Sequence, residues 1–257
     1  MATSTSNPGK PLSSIEKTCR VLASMTDPRN VRLTDIAEYS GLDLSTTLRI
    51  LKELENQNFI ERDPVTKQYV LGPQVYAMHN AMVAGRDLQA EARPALIRLS
   101  RLFGDTVILS IPAGWESVCI DLCFGDYPIR ANYLHVGSRR PLGVGAGSLA
   151  LLMAMREAEQ QAVMPAVHAC IAKRYPLYTV DYLDEQLRAA RARGYTMPLD
   201  VVIQKMGGLG VAVKGPDGDP IAALSIAALT ERIVGREHEL AAALKEEVDA
   251  IERAWLP

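Results

Sequence analysis

Single-sign charge, cysteine and long apolar runs are all scarce in this 257-residue chain. No stretch approaches the ~20 apolar residues that a membrane-spanning helix needs, and the opening MATSTSNPGKP lacks the apolar core of a signal peptide. The expectation is a cytoplasmic protein without membrane attachment, whose Ser/Thr/Pro/Gly-rich residues 1–11 form a disordered tail. In such a compartment the four cysteines, Cys19, Cys119, Cys123 and Cys170, read as free thiols. Cys119 and Cys123 flank Asp121 in VCIDLCF, so a regular strand would project all three from one face. With His135, His168 or Cys170 they could be drawn as a metal site. The spacing matches no closed zinc pattern, so the expectation is buried thiols with no metal and no cofactor.

The formal net charge is −2, which argues against a generally basic nucleic-acid binder. Residues 1–72 hold nine Lys/Arg against nine Asp/Glu, a net of zero. Glu16, Asp35 and Asp43 stand at expected helix starts, where they complement the helix dipole, so the placement of charge matters more than its sum. A nucleophile elbow G-x-S-x-G is also missing, and no cysteine or histidine has a recognisable catalytic setting. Asp121 and Asp200 could act as paired carboxylates, but nothing in the sequence brings them together. No catalytic residue is nominated, and no internal repeat is found.

What is present is concentrated in residues 33–71, which read as two short helices at a tight turn followed by a β-hairpin. TDIAEY carries the first helix and Gly41 ends it in a left-handed turn. Asp43 caps the second, LSTTLRILKELENQ, in which Leu44, Leu48, Leu51 and Leu54 form an apolar stripe. Ser45, Thr46, Thr47, Arg49 and Lys52 take the opposite face, with small hydroxyls at the amino end and cations beyond. That is the dress of a recognition helix: its first turn approaches base edges while Arg and Lys grip phosphate. FIERD and QYVLG make two strands around a turn that holds Lys67, with Arg62 nearby, and Arg32 precedes the first helix of the pair. The pattern predicts a winged helix-turn-helix that binds double-stranded DNA. The rival reading of these helices is a packing unit appended to an enzyme of small-molecule metabolism.

Around this unit, Ser13-x-x-Glu16 forms a capping box for a helix with Ile15, Cys19 and Leu22 inward. Residues 74–86 predict a linker helix whose stripe of Val75, Met78 and Met82 has no partner of its own and is expected to meet another subunit. From residue 87 the pattern becomes α+β. A helix (91–103), strands TVILSI, SVCIDLC and PIRANYL, and the glycine loop PLGVGAGSLALLM are followed by helices over 159–172 and 180–193. The hairpin GLGVAVKG/IAALSIAA and a terminal helix complete an antiparallel sheet flanked by helices.

These segments, LSSIEKTCRVL, RLTDIAEYSGLDLSTTLRILKELENQNFIERD, YVLGPQVYAM, RRPLGVGAGSLALL, ARARGYT and GLGVAVKGPDGDPIAALSIAALTERI, resemble in order and spacing the IclR family of bacterial transcription regulators. The likeness runs from Leu12 to Trp255. It implies a winged helix-turn-helix over 12–72, a linker helix over 73–86 and a GAF-like effector-binding domain over 87–257. It also implies dimers, or dimers of dimers, on pseudo-palindromic operators, and a repressor of a catabolic operon released or modulated by a small organic or aromatic acid. The chain departs from the family where Ser148 replaces a usual Lys and where PLDVV, with Asp200, replaces a usual acidic pair.

The effector is expected at the loop of Gly143, Gly145 and Gly147, where side-chain-free backbone and open helix amides suit a carboxylate. By the resemblance, Gly145 and Ala146 match positions whose amides bind effectors, and Asp200, Gly210 and Ser225 line the pocket. Leu142 and Val144 are expected to add apolar wall. The other reading of the glycines is close helix–sheet packing.

Overall fold

The computed structural model describes residues 11–27, 29–83, 87–131, 133–175 and 177–255. Residues 1–10 of the expected tail and residues 84–86 of the expected linker helix lie outside the described residues. The chain divides into two compact units between Asp87 and Leu88.

In the first unit, α1 (Ser14–Ser24) opens with the expected capping box: Ser13 N–H donates to the Glu16 carboxylate at 2.7 Å, and the Ser13 hydroxyl accepts from Glu16 N–H. Only the carboxy-terminal half of α1 is covered. Val21, Ser24 and Met25 are buried, whereas Ile15 and Cys19, expected inside, are exposed. Helix α2 (Leu33–Ser40) ends at Gly41, whose φ of +67° needs a glycine. Asp43 caps α3 (Leu44–Asn56) by accepting from Thr46 N–H at 2.8 Å.

The face that α3 buries differs from the expected leucine stripe. Thr47, Ile50, Leu51 and Leu54 go inward, while Leu44 is 51% exposed and Leu48 is half-buried. Thr47 enters the core because its hydroxyl donates to the Asp43 carbonyl at 2.9 Å, leaving no unpaired group inside. The core is closed by Ile36, Ile60 and Tyr69, the last two from the antiparallel pair β1 (Ile60–Arg62) and β2 (Tyr69–Leu71). Helix α4 (Pro73–Val83) follows at once, with Tyr76, Met78 and Met82 exposed and Val75 half-buried.

The second unit contains α5 (Leu88–Phe103), β3 (Thr106–Ala113), β4 (Glu116–Cys123), β5 (Arg139–Pro141), α6 (Ala146–Ala154), α7 (Glu157–Arg174) and α8 (Val180–Arg193). It continues through β6 (Met206–Lys214), β7 (Pro220–Leu229), α9 (Thr230–Val234) and α10 (Glu237–Trp255). The strands form one antiparallel sheet in the order β5-β4-β3-β7-β6. Alternation along the strands divides the residues between two faces. Val107, Leu109, Leu209, Val211, Leu224 and Ile226 pack under α5 and α10. The other face receives α6, whose Leu149, Leu151 and Leu152 join residues of α7 and α8 in a second core.

Two strand expectations are corrected. PIRANYL (128–134) forms no strand among its described residues; Pro128 cannot donate to a ladder, and β5 occupies the edge beside β4. The single-face arrangement of Cys119, Asp121 and Cys123 fails because β4 carries a bulge: Ser110 pairs with Cys119 while Leu109 pairs with Asp121. Cys119 therefore faces the α6 side. Asp121 turns to α5, where it takes Arg93 at 2.7 Å, and Cys123 accepts from the Ser100 hydroxyl at 3.1 Å. Among the described residues no three His, Cys, Asp or Glu side chains gather as a metal site. No helix among them is long and apolar enough to cross a membrane.

Candidate DNA-reading surface and ligand cavity

Ser45, Arg49 and Lys52 recur at helical spacing on the exposed side of α3, with Thr46 half-buried at its amino end. Thr47 does not belong to this surface; it is wholly buried. Asp43 organises the first turn. Its carboxylate accepts from the Ser45 hydroxyl at 2.6 Å and from Thr46 N–H, and these bonds hold it well below the usual carboxylate range. Ser45 therefore turns its lone pairs, rather than its proton, outward.

Arg32, exposed, stands at the amino end of α2. In the β1–β2 turn the Asp63 carboxylate accepts from Val65 N–H at 2.8 Å and Thr66 N–H at 2.7 Å, which bends the tip. Lys67 adopts a left-handed φ of +60° there and donates to the Pro64 carbonyl at 2.6 Å. Arg62 lies over the Tyr69 ring, 5.2 Å from its centroid, and remains exposed. The reader surface thus presents a helix face and a pinned, cationic turn.

In the second unit a cavity open to solvent lies between the sheet and the amino end of α6. Gly145 precedes that helix with φ +87° and no side chain caps it, so the first amides of α6 are left for a ligand. Val144, Gly145, Ala146 and Ser225, all expected at the site, line this cavity. Leu142, Gly210 and Asp200 do not, for three different reasons. Leu142 is buried in the core beneath α6. Gly210 serves as a seat for that helix, since a Cβ there would lie 2.6 Å from the Ala146 carbonyl oxygen. Asp200, exposed and at φ +61°, is drawn away by the Thr230 hydroxyl, which donates to it at 2.7 Å. The hydrophobic neighbours of Asp200, Val201, Val202 and Ile203, line the cavity instead.

The sequence reading missed Arg140. It pairs with Ser117 across the β4–β5 ladder, and cross-strand partners share a face, so both reach the cavity. The guanidinium stacks over Tyr133 at 5.0 Å from the ring centroid and makes no ion pair among the described residues. Its neighbour Arg139 points the other way, to Glu116 at 2.9 Å. The signal was the alternation within Arg139-Arg140, but the sequence did not place the strand. Ser110 also joins the floor, and Ser117 and Ser148 are hydrogen-bonded to each other. Cys119 lies on the same floor. Burial, and secondarily the charge of Asp121, push its thiol up to about 11, so it stays protonated.

A winged helix-turn-helix followed by a GAF-like α+β domain defines a DNA-binding transcription regulator. Residues 14–64 match the IclR helix-turn-helix domain, and residues 80–253 match the bacterial transcriptional regulator IclR C-terminal domain. The chain belongs to the IclR family of bacterial transcriptional regulators. It is 30% identical over 203 residues to the HTH-type transcriptional repressor AllR of Salmonella paratyphi A, covering 78% of this chain and 74% of AllR. It is 28% identical over 223 residues to the HTH-type transcriptional regulator XynR of Escherichia coli K12, covering 86% and 88%. Among solved structures, an IclR homologue of Microbacterium hydrocarbonoxydans complexed with 4-hydroxybenzoate matches with a TM-score of 0.75 at 21% identity, covering 94% of this chain and 98% of that one. An IclR regulator of Alicyclobacillus acidocaldarius matches with a TM-score of 0.74 at 23% identity, covering 96% and 99%.

Proposed function

We propose that this protein is a cytoplasmic repressor of a catabolic operon whose grip on a pseudo-palindromic operator is changed by a small carboxylate. Residues 12–72 read the DNA, 73–86 link, and 87–257 bind the effector. Ser45, Thr46 and Arg49 approach base edges, while Arg32, Lys52 and Lys67 hold phosphate. Two half-sites require two readers, and the exposed Met78 and Met82 of α4 supply an apolar face for a homodimer or a dimer of dimers.

The observation that carries the effector reading is the uncapped, glycine-bounded amino end of α6 opening into a cavity beside Arg140. Helix-end amides and a guanidinium both favour an anion. A fold relative complexed with 4-hydroxybenzoate and a similar protein named a repressor support the same reading. Val144, Gly145, Ala146 and Ser225 stay in the proposed site and Arg140 joins it; Leu142, Asp200 and Gly210 act as structure around it. An effector changes DNA affinity only through unequal binding to the DNA-competent and DNA-incompetent states. The test is retardation of the chain's own promoter fragment across a panel of carboxylates. One or more should shift the apparent affinity; no specific binding to that fragment at any salt concentration would overturn the reading.

A further inference from the structure

Leu44, expected inside, is instead 51% exposed at the first position of α3, and Ser45 beside it is exposed too. The Ser45 hydroxyl donates its one proton to the Asp43 carboxylate at 2.6 Å, and Thr46 N–H donates to the same oxygen at 2.8 Å. A hydroxyl bond to a carboxylate is short and roughly twice as strong as one between neutral groups, so the oxygen or ring nitrogen of a base competes poorly for that proton. What Ser45 offers outward is its lone pairs, backed by the negative charge of Asp43. Arg49 and Lys52, further along the same row of the helix, carry only donors. The exposed face of α3 is thus divided, with an acceptor and an apolar side chain at its amino end and donors beyond.

The four bases differ on this point in the major groove. Guanine presents two acceptors, N7 and O6, and would meet Ser45 acceptor to acceptor, whereas adenine and cytosine each present an amino group. Of the two kinds of base pair, only A·T adds a methyl group to that edge, and an exposed leucine suits a methyl group. Resting on the reading that residues 12–72 bind DNA, we infer that the first turn of α3 selects an A·T pair: the adenine amino group donates to the Ser45 hydroxyl, and the methyl group of the paired thymine packs on Leu44. Asp43 touches no base in this arrangement. It is a positioning residue, which makes Ser45 selective by engaging the proton that would otherwise let a hydroxyl serve any base. Discrimination then comes from rejecting guanine as well as from accepting adenine.

The full-length protein is used to select duplexes from a random library, and the selection is repeated with Ser45→Ala. The position whose base preference the variant flattens is the one that Ser45 reads, and in the parent it should be adenine. Exchanging that adenine for 2-aminopurine, which lacks the 6-amino group, should weaken binding about 3- to 10-fold in fluorescence anisotropy titrations. Exchanging the paired thymine for deoxyuridine, which lacks the methyl group, should weaken it about threefold. In Ser45→Ala the first loss should vanish and the second remain; in Leu44→Ala the reverse should hold. Asp43→Ala frees the Ser45 proton, so the preference for A·T over G·C at this position, measured within the variant, should fall by about 3- to 10-fold. Its lost helix cap is checked by the melting temperature, and Ser45→Ala and Leu44→Ala, which leave the cap in place, carry the test if it fails to fold. Guanine or cytosine at the position, no loss with 2-aminopurine, or losses that the matching substitutions leave untouched would overturn the inference. If the parent selects a sequence that neither Ser45→Ala nor Leu44→Ala alters, the inference fails and the DNA reading stands. If the parent selects no sequence, the DNA reading fails with it.

Discussion

Arg140 sits directly across from Ser117 in the β4–β5 ladder, and that register decides that a cation faces the cavity. A slip of one residue would exchange it with Arg139, which is engaged by Glu116 on the other side. Ser148, in the first turn of α6, spends its hydroxyl on Ser117. Positive charge is thus delivered to the cavity from the sheet edge.

On the DNA side, Arg49→Ala should cost about 1–3 kcal/mol of operator affinity if its guanidinium makes a bidentate base contact. Thr47→Val, which changes a buried side chain, should affect folding and leave the affinity of the folded protein near the parent's. Titration of an operator duplex, with circular dichroism on each variant, checks both. Parental affinity for Arg49→Ala would remove that residue from the interface.

For assembly, Met78→Asp combined with Met82→Asp places two carboxylates on the exposed face of α4. Sedimentation should show the variant shifted to a smaller species than the parent, with weaker operator binding. An unchanged sedimentation profile would move the interface elsewhere.

Gly210→Ala should destabilise the second unit by about 1–3 kcal/mol, since the new methyl meets the Ala146 carbonyl and α6 must lift. Gly114→Ala offers the contrast: its Cβ meets nothing within 4 Å, so its cost, about 1–2 kcal/mol, comes from the left-handed φ of +66° alone. Denaturant titration of both variants separates crowding from backbone strain.

Asp105, which is buried, receives Arg232 at 3.0 Å and also Arg236, tying the start of β3 to α9 and to the segment leading into α10. Asp105→Ala leaves two guanidinium groups without their shared anion and should cost about 3 kcal/mol. The thermal unfolding midpoint of the variant is the measurement, and a midpoint near the parent's would show that the network contributes little.

Cys119 should resist alkylation. With its thiol pushed up to about 11 from an ordinary 9.0, its thiolate population at pH 8 is about 100-fold below that of an unperturbed thiol. Exposed Cys19 should take up iodoacetamide first, as peptide mass spectrometry would show. The sign for stability follows: the folded state favours the neutral thiol, so this contribution is intact below about pH 9 and is lost as the unfolded thiol ionises above it. A rapid reaction of Cys119 at pH 8 in the folded protein would contradict this.

Much of the reader was legible from sequence because its signals are local. The Ser13–Glu16 box, Gly41, the Asp43 cap and the turn that holds Lys67 each act through groups a few residues apart, and helix and turn geometry fixes such short spacings. The same holds for Val180–Arg193, set between the Thr179 cap and Gly194. The glycine loop ahead of α6 was readable as the start of a helix for that reason. What the sequence left open depends on partners distant along the chain. Which face of α3 goes inward, Thr47 included, is decided by what α1, α2 and the wing cover, because i+3 and i+4 spacings allow more than one stripe. The bulge in β4 separates Cys119 from Asp121, and strand alternation can be counted only once register is known. Gly210 and Asp200 were assigned to the cavity by resemblance and Leu142 as its apolar wall, yet the seat of α6, Thr230 and the α6 core claim them. Residue types and local spacing determined the class of protein. Tertiary packing alone chose which arginine, serines and aliphatic side chains converge on one cavity, because that convergence requires five strands and a helix to meet in one register.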